Sequence, residues 1–142
     1  MGIFPESREG MRRMYAEAWR RRVAGLPVEP LQAHIADVVA AHPEYHGLLG
    51  GPEEALRGEW TPEGGQINPF LHMGMHLALR EQVSTDRPAG IAGIHRRLLA
   101  RLGDAHVVEH AMMDRLGAAL WEAQRTGLPP DEEAYLNALR AL

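Results

Sequence analysis

The stretch Asn68-Pro69-Phe70-Leu71-His72-Met73-Gly74-Met75-His76-Leu77-Ala78-Leu79-Arg80-Glu81-Gln82 decides how this chain is read. Asn68 suits a helix N-cap and Pro69 the first helical position, so the spacing predicts a helix from here to about Ser84. At about 100° per residue the inward stripe reads Leu71, His72, Met75, His76, Leu79 and Val83. Two histidines one turn apart therefore sit in an apolar face. Burying one imidazole without a partner costs roughly 1 to 3 kcal/mol, so two on adjacent turns call for something that both can bind.

Downstream, Asp104 predicts a cap for a long helix ending near Thr126, with Val108, Met112, Leu116, Ala119, Leu120 and Ala123 on the core face. Glu109 falls in the middle of that face, bordered by His106 and His110. A carboxylate inside an apolar stripe is costly unless a cation neutralises it. Upstream, a helix starting at Pro30 turns Leu31, Ile35, Val38 and Val39 inward, and His42 lies on the same stripe. Pro43 forces a kink or restart, beyond which Tyr45, His46 and Leu49 continue the stripe.

Three His-x-x-x-His pairs result: His42/His46, His72/His76 and His106/His110. Chance placement of eight histidines would give about half a pair. At helical spacing each pair projects from one face. The expected metal-ligating set is thus His42, His46, His72, His76, His106, His110 and Glu109. Glu109 is also the expected catalytic carboxylate, bridging metals or accepting a proton. Imidazole donors suit iron, zinc, copper or nickel, and a nitrogen-rich set disfavours magnesium and calcium. Iron is the expected occupant, one ion or two, with zinc as the alternative.

The remaining segments read as the walls of a helical bundle. A first helix over 6 to 25 puts Met11, Tyr15, Ala18, Trp19 and Leu26 on one side. Arg8, Arg12, Arg13, Arg20, Arg21 and Arg22 form a solvated basic face on the other. After a turn at Asp86-Arg87-Pro88, a helix carries Ile91, Ile94, Leu98, Leu99 and Leu102 at core spacing. His95 on that stripe reads as a hydrogen-bonded core histidine, and His34 as an edge residue. A last helix from Pro129-Pro130-Asp131 packs Tyr135, Leu136, Leu139 and Leu142. Residues 50 to 67, rich in glycine and proline, read as a long loop and candidate lid, with Trp60 and Gln66 its most useful side chains. The expected fold is all-α: a single-domain helical bundle of five to six helices over residues 1–142.

Composition narrows the chemistry. With no cysteine and no lysine among 142 residues, thiolate sites, disulfides, iron-sulfur clusters, Walker lysines and Schiff bases are excluded. Ser7 and Ser84, the only serines, stand in no nucleophile motif. A net charge of −4 argues against nucleic acid, and no apolar run spans a membrane. No charged-then-apolar leader is expected from the opening residues, and Glu6 stands where an N-myristoylation motif wants Ser or Thr. The expectation is a cytoplasmic protein acting on a small-molecule substrate or dioxygen, a homodimer being an open alternative.

Four motifs carry a resemblance: His42-Pro43-Glu44-Tyr45-His46, Asn68 through His76, Asp86-Arg87-Pro88-Ala89-Gly90-Ile91, and His106 through Met113 followed by Leu120-Trp121-Glu122-Ala123-Gln124-Arg125. Over nearly its whole length the chain resembles the bacterial family catalogued as domain of unknown function 1841, which brings no activity with it. In pattern it is also similar to haemerythrin-like bundles, which hold two irons with five histidines and two carboxylates, and to DinB-like bundles, which hold one metal with three histidines. It departs from the former by offering three histidine pairs and one inward carboxylate.

Oxygen or redox chemistry at iron is the expected function. The alternatives are a mononuclear zinc or nickel hydrolase or transferase, a haem or oxygen-binding module, and a metal-free interaction protein docking through its Arg-rich first helix.

Overall fold

The structure, a computed structural model, describes residues 7–60 and 67–142. Gln66, Glu6 and the middle of the glycine- and proline-rich loop lie outside the described residues. Every regular element described is helical: α1 (Arg8–Ala24), α2 (Pro30–Ala40), α3 (His46–Leu49), α4 (Pro69–Thr85), α5 (Ile91–Leu102), α6 (Ala105–Thr126) and α7 (Glu132–Arg140), with 3-10 turns at Pro43–Tyr45 and Glu53–Arg57. The fold is all-α, as its periodicities indicate. The count exceeds six because Pro43, which cannot continue the hydrogen-bond ladder of α2, restarts the chain as a 3-10 turn leading into the one-turn α3.

Local chemistry accounts for most boundaries. Asn68 Oδ1 accepts from the backbone N–H of Phe70 at 2.9 Å and of Leu71 at 3.3 Å, which starts α4 as its sequence predicts. Asp104 likewise accepts from His106 and Val107 at the head of α6. Gly103 ends α5 with φ 77°, in the left-handed region that favours glycine. The connection from residue 50 to 60 is not featureless: Glu53–Arg57 coils into a 3-10 turn that buries Leu56.

The chain divides into two compact units, Met1–Met73 and Gly74–Leu142, with the boundary inside α4. In the first, α1 packs on α2, and Tyr15, Ala18, Ile35, Val38, Val39, Leu49, Leu56, Phe70 and Met73 are buried. Tyr15 meets Phe70 edge to face at 5.8 Å.

Arg12 corrects the reading of α1 as carrying a wholly solvated basic face. Only 3% exposed, it donates from Nη1 to the carbonyls of Leu56 at 2.6 Å and Gly58 at 2.9 Å. Its guanidinium also lies over the rings of Trp60 and Phe70, at 5.2 and 5.0 Å from their centroids. The other arginines of α1 follow the expectation more closely: Arg13, Arg20, Arg21 and Arg22 pair with Glu9, Glu53, Glu17 and Asp37 at the surface.

The second unit assembles α5, α6, α7 and the later turns of α4 around Leu79, Ile91, Ile94, Leu98, Val108, Met112, Met113, Leu116, Tyr135, Leu136 and Leu139. Tyr135 donates to Gln82 Oε1 at 2.8 Å, tying α7 to α4. Several expected core positions are instead exposed, among them Leu71 on α4, Leu102 at the end of α5 and Leu120 on α6. For α4 the reason is that apolar residues occur nearly all round between Phe70 and Leu79. Periodicity alone does not choose the face, and packing turns Phe70 and Met73 inward instead of Leu71. Leu31, expected inward, is exposed on the first turn of α2.

Candidate metal centre

The second unit gathers His76 from α4 and His106, Glu109 and His110 from α6. His76 is fully buried, and Glu109 is 9% exposed. The Nδ1 of His76 lies 2.5 Å from Glu109 Oε1, and Arg80, one turn further along α4, donates from Nε to the same oxygen at 2.9 Å. Burial alone would raise the carboxyl pKa of Glu109. The hydrogen bond from His76 and the charge of Arg80 outweigh it and hold the group below the ordinary carboxylate value. An ionised carboxylate only accepts, so the His76 proton sits on Nδ1 and the lone pair on Nε2.

Nε2 of His76 in turn lies 3.1 Å from Nε2 of His110. Two nitrogens bound to one ion at about 2.0 to 2.1 Å would stand this far apart at an angle of about 95 to 100°. His106, at the exposed start of α6, stacks on His76 with ring centroids 5.5 Å apart and meets His110 edge to face at 4.2 Å. The 106/110 spacing therefore brings both imidazoles to His76, as two side chains on adjacent turns of one helix can.

The first unit holds the other histidines of interest. His42, 1% exposed at the end of α2, donates from Nδ1 to the carbonyl of Val38 at 2.7 Å, which puts its lone pair on Nε2. Its ring meets that of His72 edge to face at 5.2 Å and stacks on Tyr45 at 5.6 Å. Tyr45 stays a neutral phenol, because burial and the nearby Glu44 charge raise its pKa. His46 is placed differently: its Nε2 donates to Val39 O at 2.8 Å and its ring stacks on Trp19 at 4.3 Å. The restart at Pro43 is what separates it from His42 in direction. His34 is exposed on α2, and His95 is half-buried on α5.

Of the seven expected site residues, four meet in the second unit, His76, His106, Glu109 and His110, while His42 and His72 meet in the first. Histidines are thus clustered within each unit, His76, His106 and His110 in the second and His42 with His72 in the first, an arrangement compatible with metal binding. Arg80 is the member that sequence reading passes over. Its signal is a cation four residues after His76, at the spacing that lets both reach one carboxylate.

With this geometry in hand, residues 7–141 match the family described as Domain of unknown function (DUF1841). The chain belongs to that family. No curated protein and no solved structure matches this DUF1841 chain. The family description assigns no activity, so function has to be read from the DUF1841 site itself. Among its described residues no helix is long and apolar enough to cross a membrane.

Proposed function

We propose that this DUF1841 protein is a metal-binding helical protein that holds a transition metal with its clustered histidines: His76 and His110, with His106 beside them, in the second unit, and His42 with His72 in the first. The observation that carries the reading is the buried Glu109–His76–His110 chain. A carboxylate grips Nδ1 of one histidine while Nε2 of that histidine and of the next approach at 3.1 Å. Metal-ligating histidines almost always donate their second ring N–H to a carboxylate or backbone carbonyl. His42 follows the same rule through Val38. Helix α4 carries His72 and His76 on successive turns, and each has its neighbour, His42 or His110.

Glu109 serves here as the group that orients His76, since its Oε1 already receives His76 and Arg80. That favours one ion over a carboxylate-bridged pair. Iron is the occupant we propose, because imidazole donors suit it and a few of them leave coordination positions for a small-molecule substrate or dioxygen. When bound, the ion would supply redox or Lewis-acid chemistry. The chain's own residues fix ligand tautomers, hold the carboxylate ionised and bury His42 and His76 away from water. A second reading, zinc or nickel used for hydrolysis or transfer, draws on the same observation, because a set of neutral imidazoles leaves the ion its full charge.

The test is metal content per chain by mass spectrometry together with a visible spectrum, on untagged protein purified without chelator. About one iron with charge-transfer bands supports the first reading, and one colourless zinc the second. Folded protein that takes up no metal from any of these ions would overturn both.

A further inference from the structure

We infer that the groove between α6 and α7 is the face at which two copies of this chain pair about a two-fold axis. The groove lies wholly in the second unit and encloses about 420 Å³. Its walls are Ala118, Ala119 and Ala123 of α6 and Ala134 and Ala138 of α7. No histidine is among the described residues that line it, so the pairing stands apart from the metal reading. On α6 the alanines fall between Arg115 and Thr126 at the three- and four-residue spacings of one helix face. Side chains this short let a second helix settle at the near end of the usual range of about 8 to 10 Å between axes.

Charge decides which helix that is. Arg115 and Glu122 are both exposed and flank the stripe on α6, with Ala118 and Ala119 midway between them. The seven residues from one to the other span about 10 Å, two turns, so both charges lie on the same side. An antiparallel copy of α6 centred on that midpoint sets Arg115 against the partner's Glu122, and Glu122 against the partner's Arg115. In the same register Ala118 meets the partner's Ala119, and Ala111 the partner's Thr126. A parallel copy in register would oppose like charges. An isologous contact needs this reciprocity, whereas an unrelated partner does not. Glu122 already pairs with Arg125 of its own helix, but those side chains are 53% and 56% exposed, and one carboxylate accepts from two guanidiniums. By the two-fold, each α6 lies in the other copy's groove. Two α6–α7 hairpins then close into a four-helix arrangement with the alanines at its centre.

Sedimentation velocity on the wild-type chain at about 1 to 500 μM tests this, with a monomer–dimer equilibrium expected inside that range. Arg115→Glu and Glu122→Arg each place like charges together at two contacts and should raise the dimer dissociation constant about tenfold or more. Both reversals in one chain restore opposite charges and should return it to within about threefold of the wild type. A structural defect would not be rescued in this way. Ala118→Cys supplies a check that leaves the charges alone, because the chain has no cysteine of its own. A short bis-maleimide should link it to its copy, whereas Ala41→Cys, on the surface of the first unit, should stay unlinked. A chain monomeric throughout would overturn the inference and leave the groove to a different protein or to solvent. A dimer indifferent to both single reversals, or a double reversal as weak as either single one, would overturn it too.

Discussion

His76 and Glu109 are joined by a 2.5 Å contact between Nδ1 and Oε1, made on α4 and α6 by residues 33 positions apart. The contact sets which nitrogen of His76 faces His110. Glu109→Gln keeps the shape but can present its amide N–H₂ as well as its carbonyl, and it lacks the charge. We expect the variant to fold and its metal affinity to fall by about 10 to 100-fold, the usual cost of losing such an outer partner. Isothermal titration with zinc or iron(II) reads this directly, and unchanged affinity would remove Glu109 from the site.

Substituting the histidines separates ligands from bystanders. His76→Ala and His110→Ala should each abolish stoichiometric metal, whereas His34→Ala, on an exposed turn of α2, should leave it intact. Equal metal content in all three purified variants would sink the ligand assignment.

Arg12 is expected to matter for folding. Its Nη1 serves the carbonyls of Leu56 and Gly58, so Arg12→Met strands both and forfeits two charge-assisted hydrogen bonds. A loss of about 2 to 4 kcal/mol in urea unfolding is expected. Arg12→Lys should recover only part of it, since an ammonium lacks the planar fork. Wild-type stability in the methionine variant would contradict this role.

Tyr135 makes the fold alkali-sensitive. Burial pushes its phenol up to about 12. An unfolded tyrosine titrates near 10, so between these values the unfolded chain has released a proton that the folded chain still holds. Its contribution is fully present below about pH 10 and is lost as pH rises toward the folded value. Tyr135→Phe should flatten part of this decline in urea midpoints between pH 9 and about pH 11, Tyr15 and Tyr45 retaining the rest. At neutral pH the variant should lose about 0.5 to 1.5 kcal/mol with its bond to Gln82. An identical alkaline decline in the variant would refute the assignment.

Gly117 lies inside α6, where a Cβ would meet only Met75 Cε at 3.6 Å, an ordinary contact. Gly117→Ala should therefore stabilise by about 0.5 to 1 kcal/mol through helix propensity. A lower thermal midpoint in that variant would show a constraint on the backbone here.

What the sequence made legible was governed by neighbours along the chain. Asn68, Asp104 and Gly103 act on groups within a few residues, so the starts of α4 and α6 and the end of α5 follow from local chemistry. The histidine spacings likewise predict shared faces, because the helix fixes them. Arg12 could not be read this way: the carbonyls it serves lie 44 and 46 residues away, on a turn with no helical or strand period of its own. Nor could the inward face of α4, where apolar residues on every side leave tertiary packing to choose Met73 over Leu71. His46 was separable from His42 only once the direction taken by the chain after Pro43 was known.

Helix α4 runs unbroken through Met73, Gly74 and Met75, the three residues that separate His72 from His76. Each residue turns the helix by about 100°, so inserting or deleting one there would swing His76 about a quarter-turn off the side it now shares with His72. The segment can trade one suitably sized residue for another with modest loss, but it cannot change in length by one without parting the two imidazoles. In this stretch the site is encoded by counting as much as by chemistry.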